Sequence, residues 1–321
     1  EISACLVGSE MCIRDRRNRI RKLLKKSMKQ EIRIGTRGSK LALWQANYIK
    51  LYLENNFSDI SASIHVIQTK GDINLKEDLS SLGGKGAFVK EIQKALFENE
   101  IDIAVHSYKD LPAERSHDLE VISVSPREDE RDVLISKNKQ IFTELYPNST
   151  IGTGSLRRSE QIKLIRDDLK YKPIRGNIDT RINKVLNNEF DAIIIAAAGV
   201  IRLNLSDHIS SFFKVEEIVP PPLQGFIAVE AKVGFNFKNI FEGLCNPVEK
   251  IIAQYEYSAL RQLNGSCDLP FGFNIKYTNK GFDCSYFLKT ANNTISGKEH
   301  FEREDIEKNF QNIISKLKSY I

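Results

Sequence analysis

Long apolar runs are missing from this chain of 321 residues. The longest, Ala192 to Ile201, falls short of the roughly 18 residues that a membrane helix needs. It reads as a buried strand running into a turn, and no membrane partner is expected. Cysteine is sparse: five in all, of which Cys245, Cys267 and Cys284 lie beyond the first turns of the chain. That odd, scattered set argues for reduced thiols in a cytoplasmic setting rather than a disulfide framework. No Cys-x-x-Cys or His-x-x-x-His spacing occurs, which removes the usual metal sites. Nor is there a Gly-x-x-x-x-Gly-Lys-Ser/Thr run to cradle nucleotide phosphates.

A global excess of one charge is absent too, once the first residues are set aside. The net charge of +5 suggests a polyanion partner, yet residues 1–27 carry eight basic and three acidic side chains and so hold the whole surplus. The remainder is balanced, and nucleic acid is not an expected partner. The stretch from Cys5 to Arg16 resembles translated sequencing-adapter read-through. It lacks the serine richness of an organelle transit segment and contains acids, so we read residues 1–27 as a non-native leader and Met28 as the start.

What the chain does contain is a repeated plan. Glu31 to Gly35 alternates as a strand, Thr36-Arg37-Gly38-Ser39 turns, and Leu41 to Leu53 has helical apolar spacing. Ser61 to Ile67 predicts a second strand. Thr69 to Gly86 predicts a mobile loop with Lys85 among glycines. Ala87 to Phe97 follows as an amphipathic helix and Ile101 to Val105 as a buried strand, a series that builds a parallel α/β sheet. Leu119 to Val124 is a further strand, and Pro126 to Asp132 is a charged crossing into a second unit. There the plan returns, with Thr150 to Gly154 as strand and glycine turn, Ser155 to Ser159 opening a helix, and strands at Tyr171 to Ile174 and Asp191 to Ile195. Val219 to Gly225, with three successive prolines, is a stiff linker, and Phe226 to Ala231 is a strand returning to the first unit. From Asn246 the pattern becomes a helix, a turn holding Cys267, two strands (Phe273 to Tyr277 and Asp283 to Lys289) and a terminal helix from Arg303 to Tyr320. The expected organisation is residues 28–125 with 226–243 as domain 1, 126–219 as domain 2, 220–225 as a hinge, and 246–321 as a small α+β domain 3.

Candidate chemistry collects where open α/β sheets hold ligands, at strand carboxyl ends. His106-Ser107-Tyr108-Lys109-Asp110-Leu111-Pro112 follows the strand from Ile101, and Pro112 keeps Leu111 out of helix, which places Lys109 and Asp110 on a turn with free side chains. Arg157 and Arg158 stand in the first turn of a helix, where the macrodipole favours acids; they suit an anion bound at that terminus. Arg175 and Arg181 join them on the rim of the same sheet. Guanidinium forks fit carboxylates bidentately, so a cleft for a small polycarboxylate is expected.

In family order, Arg33–Gln45, Thr69–Asp72, Gly83–Glu91, Asp102–Pro112, Arg127–Asp132, Gly152–Arg158, Arg175–Arg181, Asp191–Gly199 and Gly265–Pro270 resemble the porphobilinogen deaminase (hydroxymethylbilane synthase) family. The resemblance implies two periplasmic-binding-protein-like α/β domains plus a small α+β C-terminal domain. It implies a transferase of porphyrin and heme biosynthesis that joins four porphobilinogen molecules head to tail, releasing ammonia, on a dipyrromethane cofactor held as a thioether. By resemblance Asp110 is the catalytic carboxylate and Cys267 the cofactor attachment point. Arg37, Ser39, Lys85, Lys109, Thr153, Ser155, Arg157, Arg158, Arg175, Arg181 and Gln224 bind cofactor and substrate, and the enzyme is a cytoplasmic monomer. Two departures stand out: Pro221-Pro222-Leu223-Gln224-Gly225 replaces a turn that usually ends Gly-Gln-Gly, and Asn264-Gly265-Ser266-Cys267-Asp268 replaces Gly-Gly-Cys-Gln. A rival reading is a two-lobed binding protein for a small carboxylate ligand. That reading does not need Cys267, and a secreted receptor should carry a signal peptide with an apolar core, which the leader lacks.

Overall fold

The computed structural model describes residues 29–69, 89–263 and 269–321. Strand β1 (Gln30–Thr36) buries Ile32 and Ile34 and feeds helix α1 (Lys40–Asn56), whose N-cap Ser39 accepts from the Ala42 N–H. Then come β2 (Ile60–Val66), α2 (Lys90–Phe97), β3 (Ile103–Ser107) and β4 (Leu119–Val124). The second unit contains β5 (Asp132–Ser136), β6 (Thr150–Gly152), α3 (Leu156–Ile165), β7 (Lys170–Lys172), α4 (Ile178–Leu186), β8 (Ala192–Ala196), α5 (Ala197–Arg202) and β9 (Ser211–Phe212). After β10 (Ile227–Lys232), the third unit is formed by α6 (Pro247–Gln262), β11 (Phe271–Thr278), β12 (Gly281–Lys289), β13 (Thr294–Phe301) and α7 (Ile306–Lys318).

The two large sheets share one topology. In the first, β2-β1-β3-β10-β4, the pairs β1–β2 and β1–β3 are parallel, while β10 runs antiparallel to both neighbours. In the second, β7-β6-β8-β5-β9, β6 is parallel to β7 and β8, and β5 is antiparallel to both neighbours. The antiparallel member of each sheet, β10 or β5, is the strand that has just crossed from the other lobe. Both crossings, residues 125–131 and 220–226, therefore lie side by side, joined by the Glu128 N–H to the Gly225 carbonyl and the Arg127 Nε to the Gln224 carbonyl. The parallel pairing expected of the first three strands is present, and β10 and β5 make each sheet mixed, because the chain that crosses between lobes enters each sheet in the reverse sense.

Two further expectations change. Ala197 to Arg202 is helix α5, not a turn, since Ala197, Ala198 and Val200 pack as one buried face. The third unit has three strands where two were expected. Strand β13 exposes alternate polar residues and shows no apolar alternation, so only its pairing with β12 reveals it. Its terminal helix begins at Ile306, after a 3₁₀ turn at Arg303–Asp305.

One apolar core runs from the third unit into the base of the first lobe: Phe271, Phe273 and Phe310 join Tyr108, Leu111, Leu223 and Phe226 in a single buried cluster. The turn bearing Asp110 and the second crossing are thus anchored in the same core, which holds both against the third unit. Among the described residues, no helix is long and apolar enough to cross a membrane.

Candidate active site

The candidate residues gather where β1, β3 and β6 end. Strand β3 closes in a 3₁₀ turn, Tyr108–Asp110, whose flanking Tyr108 and Leu111 are buried in the shared core. That anchoring leaves Lys109 and Asp110 between the lobes. The Lys109 side chain is not free, as the sequence suggested it would be: its Nζ donates to Gln224 Oε1 at 2.9 Å. Burial, the largest cause, lowers the Lys109 ammonium to about 8; Asp110 and Asp132 oppose this, while Arg158 and Arg157 add to it. Asp110 is half-buried and faces both Lys109 and Arg181 electrostatically.

Across the cleft, Thr153 Oγ1 accepts the Ser155 N–H at 3.2 Å and shapes the turn that opens α3. Ser155 is that helix's N-cap residue, with no side-chain capping bond. The next two side chains run inward rather than standing at the helix terminus. Arg157 Nη2 reaches Asp132 Oδ2 at 2.6 Å, and Arg158 Nη2 reaches Asp132 Oδ1 at 2.8 Å. Their remaining Nη1 groups bond the Val219 and Ile194 carbonyls. A buried carboxylate at the start of β5 thus neutralises one of the two arginines that the sequence matched to a bound anion. Burial by itself would raise the Asp132 carboxyl, but the two guanidiniums outweigh it and hold it far below the usual carboxylate range.

Gln224 completes the constellation. It is fully buried, and its Nε2 donates to Asp132 Oδ1 at 3.0 Å and to the Glu130 carbonyl at 2.7 Å, while its Oε1 takes the Lys109 bond. Arg181 is steadied by Nε to the Gly176 carbonyl at 2.7 Å, and burial lowers its guanidinium to about 10. Arg37 and Arg175 are half-buried and have partners within the fold. Ser39 lies at the N-terminus of α1 as its cap. Lys85 and Cys267 lie outside the described residues.

Sequence reasoning passed over two residues. In the sequence Asp132 is only the end of a charged crossing; the two adjacent arginines in a first helical turn are the signal that a counter-charge is needed. Arg202 is buried at the crossing, donating to the Gly225 carbonyl at 2.7 Å with its guanidinium 5.5 Å from the Trp44 ring centre. Nothing local to it distinguishes it from a helix-terminal cation.

Chemically, this is a cleft for anions. Lys109, Arg157, Arg158 and Arg181 are cations grouped with two carboxylates, Asp110 and Asp132. Arg158 Nε is buried without a hydrogen-bond partner among the described residues.

A family model described as "Porphobilinogen deaminase, dipyromethane cofactor binding domain" matches residues 32–236. The porphobilinogen deaminase of Natranaerobius thermophilus is 45% identical over 244 residues, covering 75% of this chain and 78% of that one. That of Chlorobium phaeovibrioides is 39% identical over 268 residues, covering 83% and 86%. Among solved structures, a periplasmic substrate-binding protein of an ABC transporter from Coxiella burnetii overlays with a TM-score of 0.43 at 14% identity, covering 70% of this chain and 97% of that chain. By the family match and these relatives, the chain belongs to the porphobilinogen deaminase family.

Proposed function

We propose that this chain condenses four porphobilinogen molecules head to tail on a Cys267-linked dipyrromethane, releasing ammonia and the linear tetrapyrrole hydroxymethylbilane. The observation that carries the reading is the meeting of Asp110 with Lys109 and Arg181 between the lobes, in a chain of this family. Bound dipyrromethane supplies a pyrrole end to which the first substrate is joined.

The chain's own residues do the rest. Arg37, Arg157, Arg158, Arg175 and Arg181 take the acetate and propionate groups that each pyrrole carries, assisted by Ser39, Thr153, Ser155, Lys85, Lys109 and Gln224. Asp110 accepts hydrogen bonds from pyrrole N–H groups. It also opposes the positive charge that develops on the substrate methylene as the amine departs, and passes a proton to that departing amine and takes one from the pyrrole carbon that forms the new bond. Anchoring of Tyr108 and Leu111 in the core keeps that carboxylate in place without reorganisation. Cys267 as a thiolate is the nucleophile for attachment. The division of labour follows the three domains: residues 28–125 with 226–243 carry Asp110, 126–219 carry the arginine rim, and 246–321 carry the thioether, with 220–225 as hinge. We place the enzyme in the cytoplasm as a monomer; the free, buried Cys245 and Cys284 support a reducing compartment.

Intact mass tests the reading. Protein expressed from Met28 is expected to exceed its chain mass by one dipyrromethane, and Cys267→Ser to show no excess. Asp110→Ala is expected to keep its thermal stability and lose turnover. A wild type without adduct even after incubation with porphobilinogen overturns the reading and favours the binding protein.

A further inference from the structure

Asp132 is fully buried and stands where three elements meet: it begins β5, it receives Arg157 and Arg158 from α3, and it receives Gln224 from the second crossing. Gln224 in turn holds Lys109 at the end of β3. An amide thus links an ammonium of the first lobe to a carboxylate of the second, with Nζ–Oε1 at 2.9 Å and Nε2–Oδ1 at 3.0 Å. The Gln224 amide is not free to turn over, because its Nε2 also donates to the Glu130 carbonyl. Its oxygen therefore faces Lys109 and its nitrogen faces Asp132.

We infer that Asp132 is a positioning residue for the reaction, acting through Gln224 to hold Lys109 beside Asp110 while it keeps Arg157 and Arg158 turned away from that pair. This rests on the porphobilinogen reading above. The arrangement solves a physical problem. Four cations crowded in a desolvated cleft repel one another and compete for one carboxylate, Asp110. If Arg157 or Arg158 swung onto Asp110, the group facing the reacting methylene would be capped. A second carboxylate, out of substrate's reach, engages both guanidiniums and leaves Asp110 to the substrate. The groups facing Lys109 are then Asp110 on its own turn, Arg157 and Arg158 from α3, Asp132 from β5 and the Gln224 amide from the crossing.

The test compares wild type, Asp132→Asn and Gln224→Met. In Asp132→Asn the arginines stay cationic but lose the carboxylate that holds them off Asp110, so kcat is expected to fall at least about tenfold while the half-saturating porphobilinogen concentration changes less than about threefold. Loss of the carboxylate also removes a charge that favours the protonated Lys109. The alkaline limb of the kcat/KM profile is therefore expected to move toward acid by on the order of one pH unit. Intact mass after limiting porphobilinogen should show chain-extension intermediates persisting longer than in wild type. Gln224→Met leaves the Asp132–arginine pairs in place and breaks the link; it is expected to move the same limb the same way, and it decides the matter if Asp132→Asn does not fold. A limb and kcat that match wild type in either variant overturn the inference. A wild type that neither loads nor consumes porphobilinogen overturns the functional reading instead.

Discussion

Replacing Arg127 by Met is expected to be among the most damaging single changes in this chain, although Arg127 lies outside the candidate site. Arg127 is 8% exposed and Glu256 not at all. The guanidinium gives Nη1 to Glu256 Oε1 at 2.8 Å and Nη2 to Oε2 at 3.1 Å. It also bonds the Gln224 carbonyl through Nε at 2.9 Å and the Ile275 carbonyl through Nη1 at 3.1 Å. Glu256 in turn accepts the N–H groups of Leu223 and Ile275. One ion pair therefore pins the first crossing, the second crossing and the third unit together. Removing the cation strands a buried carboxylate, a loss of about 3–5 kcal/mol, which lowers the melting temperature by roughly 4–8 °C.

The pH dependence carries a sign. Burial raises the Glu256 carboxyl above its ordinary value, and Arg127 is the main opposing influence. Without Arg127 the carboxyl rises further, so the folded state binds a proton more tightly than the unfolded state does. The penalty is then present in full above the folded-state pKa and fades as pH falls below it toward the unfolded-state value. The deficit of the variant against wild type is expected to shrink between about pH 7.5 and about pH 5.5, by at most about 2.7 kcal/mol. Thermal unfolding followed by circular dichroism at the two pH values measures it. The double change Arg127→Met with Glu256→Leu is expected to recover only part of the loss, since no charge is left buried but the Leu223 and Ile275 N–H groups lose their acceptor. A single variant within about 1 kcal/mol of wild type at neutral pH, or a deficit that grows on acidification, refutes the reasoning.

Two other outcomes follow from the same junction and core. Gly225 has φ of +94°, and a Cβ there would lie 2.2 Å from the Glu128 carbonyl oxygen; Gly225→Ala should lower the melting temperature by several degrees, on the order of 2–4 kcal/mol, and a melting curve matching wild type would sink the steric account. Cys245, pushed up to about 12 by burial and by Glu249, and Cys284, raised well above a normal thiol by burial, should both resist alkylation in the native protein and react once it is denatured. Peptide mapping after native alkylation checks this, and labelling of either at the rate of an exposed thiol would contradict the packing.

The strand and helix plan was legible in the chain because it is written in local periodicity. Ile32 and Ile34 alternate, the apolar face of α1 repeats at helical spacing, and Pro112 closes the turn after β3. Those signals also place Lys109, Asp110, Thr153 and Arg157 at strand ends, where a cleft forms. The third strand, β13, was hidden because its residues face solvent and carry no apolar rhythm. Leu223 was read as part of a stiff linker, yet it adopts φ of +68°, in a turn where the family usually places a glycine. Its fully buried side chain offsets a backbone strain of about 1–2 kcal/mol.

Sequence alone determined which residue types stand at the ends of the strands and that their cations exceed their acids locally. Only the tertiary structure decided who pairs with whom. Asp132 meets Arg157 from 25 residues away and Gln224 from 92. Arg127 meets Glu256 across 129 residues. Such partners are chosen by the order of strands in a sheet and by the double crossing between lobes. A charge carries no local mark of its distant counter-charge, since electrostatic pairing in a desolvated interior depends on separation in space and not along the chain.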